Sequence, residues 1–329
     1  MLTFLIKRLA QAGLVLMSVS FCSFLLFNFV GDPVQQMMSA TASTEDREAL
    51  REQLGLNAST PVQFVRFVGN IAHGNFGNSY RLGRPVERLI AERLPATLEL
   101  VAVAAVFALV LGIAMGLQSG LAPTSLLARI TQWGSLIGVS LPTFFIGIGL
   151  ITVFSVWLGW FPAFGRGDVI QFRWWSTGLL TASGLQSIVL PAITLSLFLM
   201  TLVMRLVRGE LLEVMRTDYI KFARARGLSK RLIYLVYAFR NTLVPVITVI
   251  GLQIGSLVAF SIITETVFNW PGLGLMFVDA IQFADIPVMA TYLMLVALVF
   301  VVINLVVDVL YLAIDPRLRT GSGGSGAAT

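Results

Sequence analysis

Charge is scarce in this chain. Asp, Glu, Lys and Arg make up 12% of its 329 residues, against about 25% in soluble globular domains, which excludes an ordinary water-soluble fold. The single cysteine, Cys22, excludes an intramolecular disulfide and leaves cysteine usage silent on redox compartment. A lone histidine, His73, removes any histidine-based metal cluster, and no metal site is expected. Nowhere does Gly-x-x-x-x-Gly-Lys-Ser/Thr occur, so no loop of that kind cradles nucleotide phosphates and no catalytic residue is assigned.

What is present is apolar: 57% of residues are hydrophobic and the mean hydropathy is +0.85. About 20 helical residues cross about 30 Å of hydrocarbon, and stretches of that length recur near 9–30, 97–119, 132–158, 187–207, 242–264 and 289–312. They are rich in Leu, Val, Ile and Phe without sustained apolar–polar alternation, which fits helices and not a β-barrel. The expected fold class is an all-α membrane protein with six transmembrane helices. The first stretch follows Lys7 and Arg8, exceeds a signal-peptide core in length, and lacks a small-x-small cleavage site before Gly31-Asp32-Pro33. It reads as an uncleaved span.

The net charge of +6 does not point to nucleic acid, because in a membrane chain the distribution of charge matters more than its sum. Lys7, Lys221 and Lys230 all fall on the inside if both termini are cytoplasmic, and most outside arginines lie in the long segment 31–96, where loops vote weakly on orientation. The tail 320–329, Gly- and Ser-rich, reads as a flexible linker left from expression.

Segment 31–96 is too long for a simple connection. An N-cap candidate opens the acidic stretch at Thr44, Val62–Val68 is amphipathic, Gly74–Tyr80 is turn-rich, and Pro85 begins another short helix. Together they predict a small helical cap on the outer face. Trp157, Trp160, Phe161, Trp174 and Trp175 mark the outer membrane interface.

Between the fourth and fifth spans lies a basic insert, 216–231. Arg216, Lys221, Arg224, Arg226, Lys230 and Arg231 surround Tyr219, Ile220, Phe222, Ala223 and Leu228. Gly227 is placed to end a helix, and Ser229 to cap the next. Helix, turn and helix would form a compact knob on the membrane surface. An ordinary positive loop touching anionic lipid is the plainer reading, and the small residues Ala223 and Ala225 favour a protein surface.

Carboxylates in spans are costly. Glu99 and Asp308 are therefore either ion-relay groups of a secondary transporter or helix-packing carboxylates, and they have no evident charged partner within the spans. Gly251 and Gly255 permit close helix approach. Ser140, Thr143, Gln253 and Ser256 are candidates to line a solvated path, and Pro142 and Pro191 to interrupt or begin helices.

The stretch Asp218-Tyr219-Ile220-Lys221-Phe222-Ala223-Arg224-Ala225-Arg226-Gly227-Leu228, continued by Arg240-Asn241-Thr242-Leu243-Val244-Pro245, closely resembles the coupling loop of ABC-importer permeases, specifically the B-type permease of dipeptide and oligopeptide importers. Lys221-Phe222-Ala223 stands where the wider superfamily has Glu-Ala-Ala, and Tyr237-Ala238-Phe239-Arg240 where it has Ile-x-Leu-Pro; both departures resemble the peptide branch. Collinear agreement extends through Leu54-Gly55-Leu56, Gly74-Asn75-Phe76-Gly77-Asn78-Ser79-Tyr80, Glu92 to Leu100, Glu265 to Gly274 and Asp315-Pro316-Arg317-Leu318-Arg319.

The resemblance implies a type I importer permease domain over 1–319, with an external cap at 31–96 and a coupling loop at 208–240. It implies a coupling helix of Asp218, Tyr219, Ala223, Arg224, Ala225, Arg226 and Gly227, docked in a cleft of an ATPase. It also implies a homologous second permease, two cytoplasmic ATPase subunits carrying ATP-Mg, an extracytoplasmic substrate-binding protein that docks on the cap, and a bacterial inner-membrane location. Cargo is expected to be a di- or oligopeptide. A stand-alone transporter using Glu99 or Asp308 and a non-transporting scaffold are the competing classes.

Overall fold

The computed structural model describes residues 2–29, 34, 43–53 and 57–314. The features expected at Gly31-Asp32-Pro33, Leu54-Gly55-Leu56, Asp315-Pro316-Arg317-Leu318-Arg319 and 320–329, and the side chain of Asp308, lie outside the described residues.

Helix α1 (Leu2–Phe29) is followed by two helices at one end of the bundle, α2 (Thr44–Gln53) and α3 (Thr60–Ala72). The cap of α2 is Ser43, one residue before the expected position: Ser43 Oγ accepts from the Asp46 amide at 3.1 Å and donates to the Asp46 carboxylate at 2.7 Å. This side-chain cap satisfies one of the orphan amide donors of the helix start. On α3, Phe64 and Phe67 stack edge-on or tilted against Phe21 and Phe24 of α1, with centroids 5.3–5.8 Å apart.

The helix opened by Pro85 does not stop as a short cap helix. It continues as α4 (Val86–Leu121), 36 residues that include the second span. Proline fits a helix start because its missing amide hydrogen has no intrahelical partner there. The good helix formers after it leave nothing to end the helix before the apolar run begins.

The third span differs from expectation. Helices α5 (Leu126–Ser140) and α6 (Thr143–Leu150, π-helical on through Ile151–Trp157) meet at 114°. Pro142 stands at the bend: it lacks an amide hydrogen, and its ring drives Leu141 out of the helical region. By contrast Pro95 and Pro191 lie inside the continuous helices α4 and α7.

A two-stranded hairpin, β1 (Ile170–Phe172) and β2 (Trp175–Thr177), precedes α7 (Ala182–Val214). The sequence reading held no strand there. Helix α8 (Asp218–Ala225), α9 (Lys230–Leu232, π-helical on through Ile233–Ala238), α10 (Phe239–Val267), α11 (Leu273–Gln282) and α12 (Ile286–Ile314) complete the described chain. Among the described residues five helices are long and apolar enough to cross a membrane, or six if the bent pair counts as one.

Helix α4 packs on α7 more extensively than any other two elements pack. Gly112, Gly116 and Gly120 face Val203, Val207 and Leu211 in turn, so the two helices run parallel with a constant offset. Lipid is as apolar as a leucine side chain, so helices in a membrane associate by close packing, and small residues let the backbones approach. Leu100, Ala104 and Ala108 of α4, Leu195 and Leu199 of α7, and Val246 and Ile250 of α10 form the buried core around this seam. The expected small-residue contact on α10 is present: Gly251 and Gly255 lie against Val307 and Phe300 of α12.

These contacts define two ends. Thr97 of α4 meets Glu265 of α10, and Ser23 of α1 meets Ala290 of α12 at 3.5 Å. The starts of α4, α7 and α12 and the last turns of α1 and α10 therefore share one end with the hairpin and α11. The start of α1, the last turn of α12, and α8 lie at the opposite end.

Gly116→Ala tests the seam. A Cβ there would lie 2.7 Å from Val207 Cβ and 2.8 Å from the Met204 carbonyl, so thermal unfolding in detergent should show a loss of about 1–3 kcal/mol. Gly209 of α7 has open space around it, and Gly209→Ala should be neutral or stabilising by up to about 1 kcal/mol.

Candidate functional site

The basic insert folds as the expected knob. Helix α8 ends in Arg226, and Gly227 follows with φ +75°. The Leu228 amide bonds the Ala223 carbonyl at 3.3 Å, and the Gly227 amide bonds the Arg224 carbonyl at 2.9 Å. This paired Schellman arrangement satisfies carbonyls that the helix end leaves free. Ser229 then caps the next helix, accepting from the Leu232 amide at 3.4 Å.

Helix α8 has two faces. Ile220 and Ala223 are buried with Leu211, Ile233 and Ala238 in a small core under the knob, which also involves Leu117 and Leu121 of α4. Ala223 thus packs inward, against its expected place on the docking surface, because residues three apart share a helix face and Ile220 already faces the core. Ala225, Arg224, Arg226 and Gly227 are exposed, and Phe222 is 64% exposed. The Arg226 guanidinium lies 5.7 Å from the Phe222 ring centroid. Phe222 was missed as a site residue. Its signal was the i, i+3 stripe that it forms with Tyr219 beside that of Ile220 and Ala223.

Tyr219 ties the knob to α10. Its hydroxyl accepts from Asn241 Nδ2 at 3.1 Å and donates to the Tyr237 carbonyl at 3.5 Å. Asp218 sits in the first turn of α8 and pairs with Lys221 at 2.8 Å. Both groups are well exposed, so this pair contributes little to stability.

The opposite end is organised by three carboxylates. Glu265 is fully buried. It accepts from Thr97 Oγ1 at 2.7 Å, Ser261 Oγ at 3.2 Å, and the amides of Gly274 and Leu275 at 2.7 and 3.0 Å. Those amides open α11, whose own N-cap is a glycine. The carboxylate therefore caps a helix start from a distance, where the helix dipole favours negative charge. Trp270, equally buried, donates Nε1–H to the Ala96 carbonyl at 2.9 Å and fills the corner between α4 and α11.

Glu99 has a charged partner after all, supplied from outside the spans. Arg166, in the loop before the hairpin, donates Nη2–H to Glu99 Oε2 at 2.5 Å and to the Ser176 carbonyl at 2.7 Å; its Nη1 donates to Ser176 Oγ at 3.0 Å. Both side chains are at most 6% exposed. A carboxylate held in this way is a packing group, and the relay reading of Glu99 loses its footing. The third carboxylate, Asp285, accepts from Ser79 Oγ and from the Tyr80 amide at 3.1 Å, fastening the segment before α4 to the turn before α12. Arg81 lies 3.5 Å from the Phe283 ring centroid beside it.

Arg166, Glu265 and Asp285 were not recognised as site-forming residues from sequence. Their partners are 67, 168 and 206 positions away, and only Glu265 carried a local signal, in the Pro-Gly-rich run after it.

Of the path candidates, Ser140 ends α5 and Thr143 begins α6, on either side of the bend. Gln253 and Ser256 are partly buried and bonded to each other at 3.2 Å on α10. Trp157, Trp160 and Trp174 are strongly exposed at the hairpin end, as an interfacial belt requires.

Helices long and apolar enough to cross a membrane, packed together with a two-faced knob between α7 and α10, define a helical integral membrane protein. Family comparison agrees. A model described as "Binding-protein-dependent transport system inner membrane component" matches residues 108–320, and a companion model for the N-terminal part matches residues 1–101. The chain is 35% identical to the "Dipeptide transport system permease protein DppB" of Alkalihalophilus pseudofirmus, over 97% of this chain and 100% of that protein. It is 37% identical to the "Oligopeptide transport system permease protein AppB" of Bacillus subtilis, again over 97% and 100%. Its fold matches a chain of the inward-facing MetNI methionine ABC transporter at TM-score 0.53 and 21% identity, covering 69% of this chain and 96% of that one. The chain belongs to the binding-protein-dependent transport system inner membrane component family, as a permease subunit of an ABC importer.

The Glu99–Arg166 pair carries a clear expectation. Arg166→Met leaves a buried carboxylate without its cation and should cost about 3–5 kcal/mol in thermal unfolding. Adding Glu99→Gln should restore most of that loss, because the unpaired charge is then gone.

Proposed function

We propose that this permease imports di- or oligopeptides and is driven through the knob at 216–231. The observation that carries the proposal is the two-faced α8: Ile220 and Ala223 lock it to the bundle, while Phe222, Arg224, Ala225, Arg226 and Gly227 stand free. A surface loop attracted to anionic lipid needs cations. It does not need a large exposed aromatic side chain set among them on a helix whose other face is locked to the bundle. Phe222 offers apolar contact to a cleft, and the arginines offer charge around its rim, which is the usual anatomy of a protein interface.

In this reading two ATPase subunits carrying ATP-Mg bind at the knob end, which is cytoplasmic together with both termini. A homologous second permease completes the path, with Ser140, Thr143, Gln253 and Ser256 as candidate lining. The substrate-binding protein delivers cargo at the opposite end, onto the cap formed by 31–96. ATP-driven closure of the ATPases would bias the bundle between two global states. The peptide cargo rests on the dipeptide and oligopeptide systems named for the relatives. The permease domain would span 1–319, its coupling loop 208–240.

The test is reconstitution of the whole transporter in proteoliposomes. Phe222→Asp combined with Arg224→Glu should reduce ATP-dependent peptide uptake at least about tenfold, with the protein still folded. The same variant should release the ATPase subunits during co-purification. Wild-type uptake should follow internal ATP and ignore an imposed proton gradient. Full uptake and ATPase retention by the variant would overturn the docking role of the knob.

A further inference from the structure

At the hairpin end a cavity of about 640 Å³ opens between the first turns of α4, the hairpin and the turn before α11. That volume lies within the range of small-molecule sites. Its walls carry Arg88 and Arg93 from α4, Arg166, Arg173 and Trp174 from the hairpin region, and Pro271. Glu92 also lines it, but its carboxylate is engaged by Arg84 in a bidentate pair. Glu99, beneath, is engaged by Arg166. Among the described residues no carboxylate pairs with Arg88, Arg93 or Arg173. The cavity therefore holds guanidinium groups in excess.

Two further observations mark it as more than a charged surface. Arg166 lines the cavity yet is only 7% exposed, its guanidinium held in place by Glu99 and Ser176. Arg173 has φ +49° in the two-residue turn between Phe172 and Trp175. A side chain in the left-handed region crowds the following carbonyl, and a glycine there would be relaxed. Strain retained where a permissive residue would fit is characteristic of a position held for its side chain.

We infer that this cavity receives a carboxylate, the free C-terminal carboxylate of the peptide cargo, as the cargo passes from the binding protein to the bundle. Planar guanidinium forks bind carboxylates bidentately, and Trp174 supplies an apolar wall for the adjoining side chain. Arg166 belongs both to the cavity wall and to the buried pair with Glu99, so the site adjoins that pair. This inference rests on the peptide-import reading.

Its test uses the assembled transporter, with Arg173→Gly and Arg88→Gln as variants. Arg173→Gly relaxes the turn, so its melting temperature should hold or rise, which separates lost function from lost folding. Equilibrium binding of a labelled dipeptide is measured without binding protein, in nanodiscs of purely zwitterionic lipid. ATP-driven uptake is then measured in proteoliposomes for the dipeptide and its C-terminal amide, each at saturating binding protein.

The expected result is carboxylate-dependent binding by the wild type, weakened about tenfold in each variant, and a free-acid to amide uptake ratio that falls likewise. Binding unchanged by the variants, or uptake of acid and amide lowered equally, overturns the site; equal lowering assigns the arginines to docking of the binding protein. Wild type that binds the dipeptide through its carboxylate yet imports no peptide overturns the import reading and leaves the site standing.

Discussion

The parallel contact of α4 with α7 is the constraint on which the rest of the molecule depends. Three glycines at four-residue spacing bring one backbone against Val203, Val207 and Leu211 of the other. Without a hydrophobic force between helices in lipid, that closeness is itself the source of cohesion. Both candidate sites are built on the ends of this pair. At one end Leu117, Leu121 and Leu211 form the floor under the knob. At the other, Glu99 of α4 accepts from the Gly178 amide at 3.3 Å, just before α7 begins. A displacement imposed on the knob therefore acts on the helices that carry the arginine-lined cavity.

The two ends use opposite chemistry for holding and for contact. The knob is anchored by apolar side chains and offers cations outward. The hairpin end is anchored by buried carboxylates, Glu265, Glu99 and Asp285, each accepting hydrogen bonds from distant segments. Apolar packing tolerates sliding of a small element. Charge-assisted hydrogen bonds are directional, and breaking one leaves a buried group unsatisfied. The structure is thus stiffer in register at the hairpin end than beneath the knob, where π-helical turns at Ile233–Ala238 join α9 to α10. Wide turns of that type commonly accompany functional positions.

Much of this was legible in the chain before folding, for identifiable reasons. Spans announce themselves through length and apolarity, which need no partner. Gly227 and Ser229 punctuate the knob through backbone conformation alone, so the helix–turn–helix could be read from neighbours in sequence. What failed depended on distance. The partner of Glu99 is a loop arginine 67 residues on, and the donors around Glu265 come from three elements. Ala223 was misplaced because smallness signals close approach without saying to what, and here the close neighbour is Ile233 in the chain's own core. Pro142 reads as a helix breaker from sequence alone, but the 114° bend places Gly147 of α6 against Thr194, Val267 and Phe268, contacts no local signal announces.

The same reasoning separates Glu99 from an ion carrier. A relay group must exchange its proton during the cycle, which requires a partner that can leave or a path to water. Glu99 instead faces a guanidinium that never deprotonates in the working range, itself fastened to Ser176 on the hairpin. Removing the carboxylate would leave that guanidinium buried and without its ionic partner, so the two side chains stand or fall together. The fixed ion pair and the arginines of the adjoining cavity wall together make a floor whose charge faces an anion favourably. Such a floor suits a subunit whose driving energy arrives from the opposite end.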